Sequence, residues 1–255
     1  MGLPVSIHLR GPEAREPATA GLVRRAFALL HRVDELFSTY RPDSEVSQIG
    51  RGELAVGDAH PWVRQVCDLA DQARAETGGL FDVRLPGRDG TRRFDPSGIV
   101  KGWAAARAAA LLDSLANHDY CLNAGGDVVV GGLADGTAPW RIGIENPGRP
   151  GLLGFVERTA GAVATSGSAA RGNHVVDPRT GSSPSALLSA TVTGPSLVRA
   201  DVLATAAFVR GEDAVAWVER FPGYRALLVR QDGTVLQSAG FGLQPLAPAV
   251  GVSGR

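Results

Sequence analysis

Asp201 and Thr205 stand four positions apart in "RADVLATAAF", so on a helix both side chains project to one side near its N-terminal end. A carboxylate and a hydroxyl offer two hard oxygens. Mg2+ takes about that many ligands from a protein when substrate phosphate and water complete its octahedron. The plainer alternative is a first-turn Asp201 favoured by the helix dipole, with Thr205 facing solvent. A second knot, "FDPSGIVKG", places Gly98 where backbone can approach a ligand and Lys101 in the first turn of a helix whose leading amides can face an anion. It is not a Walker A loop, since the G-x-x-x-x-G-K-[ST] spacing is missing, and a helix capped by Asp95 or Ser97 would read the same way. In "NHVVDPRTG", His174 precedes two valines read as strand; a neutral imidazole there could take a proton from an alcohol, or could be a buried structural histidine. The fourth knot, "CLNAGGDVVVGG", groups Asn123, two glycines and Asp127, which suits close backbone approach and equally suits a turn between strands.

Lys101 carries one more mark. It is the one lysine among 26 basic residues; the other 25 are arginine. A compact, strongly hydrated ammonium differs from a planar guanidinium fork, so the exception favours a chemical requirement at that position over the alternative, a codon accident on a helix surface.

The elements that must position these residues follow from periodicity. Residues 21–37 repeat Leu22, Ala26, Leu29, Leu30, Val33 and Phe37 at helical spacing, with arginines opposite. A second helix runs from Pro61 to the stop at Gly78 and Gly79, and a third from Ile99 to Leu115 follows "DPSG". Strand signals dominate the second half: "CLNAGGDVVVGG", "WRIGIEN", "GFVERTAGAVATSG", "LLSATVTG", and a hairpin of "YRALLVR" with "TVLQSAG". Helices "ADVLATAAFVRG" and "DAVAWVERF" separate groups of strands instead of alternating with them. The expected fold is therefore α+β, mostly antiparallel sheet with packed helices. No linker divides the chain, so one domain over residues 1–245 is expected, with 246–255 as a disordered tail.

Composition removes other classes. With 26 basic and 26 acidic residues there is no field to recruit nucleic acid. No window of 18 apolar residues predicts a membrane span, and the first residues show no charged and then apolar leader, so the expectation is a cytoplasmic protein. Cys67 and Cys121, far apart and outside any C-x-x-C, read as small hydrophobes of a reducing compartment.

Taken in order along the chain, the knots resemble the FAD:protein FMN transferases, the ApbE-type flavin transferases. The likeness runs through "MGLPVSIHL", "FSTYRPDSEVSQI", "GGLFDVRL", "DPSGIVKGWAAA", "CLNAGGDVVVGG", "AVATSGSAARGNHVVDPRTG" and "ADVLATAAFV". What the resemblance implies is a single ApbE-like domain that binds FAD as substrate together with Mg2+. It implies a metal held by Asp201, Thr205 and the backbone near Gly98. It implies flavin contacts from Met1, Tyr40, Leu80, Phe81, Asp82, Asp95, Lys101 and Val175, and a general base at His174. The implied partner is an acceptor protein presenting a Ser/Thr hydroxyl, to which FMN is attached with release of AMP. Two positions depart from the family pattern: Gly50 stands where Asn is usual, and "SAARG" follows "ATSG" where an acidic and an aromatic residue are common. Two alternatives share the same residues, a Mg2+-dependent FAD pyrophosphatase and a non-catalytic FAD-binding module.

Overall fold

The computed structural model describes residues 2–12, 14–87, 91–115, 117–132, 138–168 and 175–246. From the N-terminal end, β1 (Val5–Arg10) leads into α1 (Pro17–Phe37), α2 (Glu45–Gly50) and α3 (Pro61–Glu76). Two short strands, β2 (Arg84–Pro86) and β3 (Arg92–Phe94), precede α4 (Ser97–Ala110). Then come β4 (Asp119–Ala124), β5 (Asp127–Gly132), β6 (Trp140–Glu145), β7 (Leu152–Arg158), β8 (Gly161–Gly167) and β9 (Leu187–Gly194). Helices α5 (Leu197–Arg210) and α6 (Ala214–Val218) cross to β10 (Arg225–Arg230) and β11 (Val235–Gln237).

Seven strands form one sheet in the order β1-β4-β5-β8-β9-β10-β11, antiparallel throughout, so that the two ends of the chain share a single domain. The α+β expectation, with antiparallel sheet and packed helices, is what the structure has. Alternation along the strands sorts side chains between two cores. On β10, Ala226 and Leu228 join the helices, whereas Leu227 and Val229 face Ile142, Ile144 and Val156 of the separate β6–β7 hairpin.

The helical face is built from small residues where the site lies. Ala162, Ala164 and Ala190 of the sheet meet Ala200, Ala204 and Ala207 of α5, all fully buried. Short side chains let backbones approach closely, which brings short polar groups on neighbouring elements within reach of one another. On the other flank of α4, Trp103 packs against Phe37 and Trp62 with ring centroids 5.7 and 5.8 Å apart, tying α4 to α1 and α3.

Helix boundaries shift slightly from the sequence expectation. The first helix begins at Pro17, because proline at the first position lacks only an amide hydrogen that would have had no partner there. The third ends at Ala110, and a 3-10 turn over Leu112–Ser114 replaces its last turn, with the Ser114 hydroxyl donating to the Leu111 carbonyl. Val175 and Val176, expected as strand, lie in irregular chain. Asp177 accounts for this: its carboxylate accepts from the Arg179 amide and guanidinium, and the amides of Thr180 and Gly181 donate to its carbonyl, so the segment turns on itself instead of pairing with a strand. Residues 247–255, the bulk of the expected tail, lie outside the described residues. Cys67 and Cys121 are both free thiols. Among the described residues no helix is long and apolar enough to cross a membrane.

Candidate active site

Lys101 is the fifth residue of α4 and Asp201 the fifth of α5. The lysine thus opens the second helical turn, one step further in than the sequence placed it, because the helix starts at Ser97. Asp201 is 2% exposed. Its Oδ2 accepts the Gly102 amide at 3.1 Å, and its Oδ1 lies 3.6 Å from Lys101 Nζ. The spacing of Asp201 and Thr205 places both on the α5 side that meets the sheet, and the Thr205 hydroxyl shares a 2.9 Å hydrogen bond with Ser166 Oγ of β8. A solvent-facing Thr205 is therefore excluded.

Asp127 completes the group from below. The Gly125–Gly126 turn, with φ of 61° and 99°, joins β4 to β5 through left-handed backbone that only glycine adopts freely. It sets Asp127 at the first position of β5, 1% exposed, with its Oδ2 2.7 Å from Lys101 Nζ. That contact is an ion pair. The other oxygen accepts the Thr165 amide at 3.1 Å.

Among the described residues, two buried carboxylates and the part-buried Lys101 ammonium leave this group one negative charge in excess when all are ionised. Burial pushes the Asp201 carboxyl up, to about 7; Lys101 opposes the rise and the Asp127 charge adds to it. An uncompensated buried carboxylate is costly, and one further cation relieves the cost. Among the described residues no three His, Cys, Asp or Glu side chains converge as a complete metal cage. What Asp201 and Thr205 present is a pair of oxygens, which fits a hard cation that takes its remaining ligands from phosphate and water.

The other residues named from the sequence gather ahead of α4. Leu80 and Phe81 are buried, and the Phe81 ring lies against Gly98, where a side-chain carbon would sit 3.3 Å from it. Asp82 is gripped by Arg74 at 3.0 Å and Arg92 at 3.2 Å, and Asp95 pairs with Arg93 at 3.2 Å while accepting the Ser97 amide. Val175 is buried in the helical core. Tyr40 stands apart, 96% exposed after α1. Met1 and His174 lie outside the described residues. Reading the sequence missed Gly102, Ser166 and Thr165, and gave Asp127 no role; a glycine inside a helical pattern was the available signal for the first.

Two buried aspartates with Lys101 between them, and a hydroxyl pair one helical turn away, on an antiparallel sheet backed by helices, define an α+β protein organised around charged chemistry at a helix–sheet junction. The chain belongs to the ApbE family, whose family model matches residues 1–87 and 85–228. A Vibrio cholerae protein named FAD:protein FMN transferase is 32% identical over 253 residues, covering 76% of this chain and 75% of that protein. A Rhodobacter capsulatus protein of the same name is 34% identical over 154 residues, 56% of this chain but only 29% of its own length. Among solved structures, the ApbE protein of Thermotoga maritima superposes with a TM-score of 0.80 at 25% identity, covering 94% of this chain and 95% of that one.

Proposed function

We propose that this protein transfers the FMN half of FAD to a serine or threonine hydroxyl of an acceptor protein, releasing AMP, and that the reaction requires Mg2+. The observation that carries the reading is the buried group in which Lys101 lies between Asp127 and Asp201, within a chain whose relatives are named for this transfer. Asp201, Thr205 and backbone near Gly98 would hold the cation. Bound there, Mg2+ would draw charge from the diphosphate oxygens and stabilise the departing phosphate.

Lys101 supplies a second positive charge against the diphosphate, where an ammonium acts as a compact point charge. Met1, Tyr40, Leu80, Phe81, Asp82, Asp95 and Val175 are assigned to the flavin nucleotide. His174 is assigned as general base and accepts the proton of the acceptor hydroxyl, a contribution typically of about 10² to 10⁴ in rate. The acceptor oxygen then bonds to the FMN-side phosphorus, the bridging P–O bond breaks, and AMP leaves with the electron pair. FMN remains on the acceptor as a phosphodiester.

The test mixes the protein with FAD, Mg2+ and an acceptor carrying a Ser/Thr segment, and weighs the acceptor. The expected result is a mass gain of FMN less water, matched by AMP, and no gain when the acceptor hydroxyl is removed. Release of AMP and free FMN with an unchanged acceptor would make the protein a pyrophosphatase. Bound but intact FAD would make it a binding module.

A further inference from the structure

Asp127 is a buried ionisable group beside Lys101 to which the reaction just described gives no task. Its carboxylate is fixed from two sides at the start of β5. The β5–β8 ladder runs from Val128↔Val163 to Val130↔Gly161 and stops, so the Thr165 amide lies beyond the reach of β5 backbone. The Asp127 carboxylate takes that amide instead, through Oδ1 at 3.1 Å. With one oxygen pinned to β8, the other is aimed at α4 and meets Lys101 Nζ at 2.7 Å.

The same ammonium lies 3.6 Å from Asp201 Oδ1. Coulomb attraction varies inversely with distance, so at equal charge the nearer carboxylate holds the ammonium about a third more strongly. This matters because an ammonium and a divalent cation compete for the same carboxylate oxygens. If Lys101 closed fully on Asp201, a cation would have to expel it before binding. We propose that Asp127 is a positioning residue that holds the Lys101 ammonium off Asp201 and so keeps that carboxylate open to a divalent cation. The inference rests on the Mg2+ reading above.

The test is a double-mutant cycle of Asp127→Asn and Lys101→Met. It is read by binding of Mn2+ alone, as a paramagnetic stand-in for Mg2+, without FAD. Asp127→Asn should weaken Mn2+ binding about tenfold or more in the wild-type background and by less than about twofold when Lys101 is already Met. Equal weakening in both backgrounds would mean that the Asp127 charge acts on the ion directly, and would overturn the inference. No weakening in either would overturn it too. Metal uptake by none of the four proteins is a different pattern, which removes the Mg2+ reading and the inference with it.

A second measurement needs no variant to fold. Lys101 is the single lysine of the chain, so [15N]lysine labelling yields one side-chain ammonium signal. In the wild type that signal should persist at saturating Mg2+, because Asp127 still holds the ammonium. Its loss to solvent exchange on adding Mg2+ would show that Asp201 had been holding it, against the inference. In Asp127→Asn the loss is the expected result.

Discussion

Burial sets the behaviour of Asp201. The carboxyl is raised chiefly because its charged form is taken out of water, so much of what the fold bears at this position is the charge itself. A neutral side chain of the same shape therefore suits the metal-free protein. Asp201→Asn retains an oxygen for the Gly102 amide and leaves Lys101 paired with Asp127. Its metal-free melting temperature should stay within about 3 °C of the wild type, while transfer falls by at least about 10²-fold, the scale on which loss of one preorganised electrostatic group is felt. Calorimetric scans and acceptor mass measure the two effects separately. A large drop in melting temperature would make Asp201 structural, and near-normal transfer would take it out of the reaction.

At the scale of elements, the close approach of α4 to α5 decides whether the site exists. Gly102 is the contact point. A side-chain carbon there would lie 2.9 Å from Asp201 Oδ2 and 3.3 Å from the Leu197 carbonyl. Gly102→Ala gains helix propensity of about 1 kcal/mol, and overpacking a tight contact costs about 1 to 3 kcal/mol. The net cost is about 0 to 2 kcal/mol, so melting should fall by no more than roughly 8 °C. Function should not escape, because the alanine methyl pushes the Asp201 carboxylate off its amide. Metal binding and transfer are expected to drop about tenfold or more. An alanine variant with unchanged metal affinity would show that the helices have slack the structure does not suggest.

At the scale of the whole molecule, the site draws on segments that lie far apart in the chain: α4, the start of β5, the end of β8 and α5. No local piece contains it, so ligands that bind it must report on global folding. A ligand present at about 100 times its dissociation constant adds about 2.7 kcal/mol to stability, which for a chain of this size raises the melting temperature by roughly 5 to 10 °C. FAD and Mg2+ together should produce such a shift, and each alone a smaller one, since the proposed cation shares its ligands with the diphosphate. Equal shifts with and without Mg2+ would argue that the two do not meet.

Much of this was legible in the residues. Helical periodicity located α1, α3 and α5 to within a turn, and the four-residue spacing of Asp201 and Thr205 put both on the face that α5 presents to the sheet. The solitary lysine was visible as an exception before any neighbour was known. Other features were not, because they depend on contacts between segments rather than on local preference. Nothing near Asp127 in the chain shows that its carboxylate replaces a missing strand partner for Thr165, and nothing near Gly102 shows that Asp201 occupies the space of its absent side chain. The two valines before Asp177 had strand propensity, yet the aspartate's own hydrogen bonds bent the chain into a turn. By itself the sequence determined the elements, their amphipathic faces and the chemical types available, since these follow from local sterics and hydrophobic period. Tertiary structure alone decided that two buried acids and one part-buried amine would meet, because desolvation and distance belong to packed neighbours and not to the order of residues.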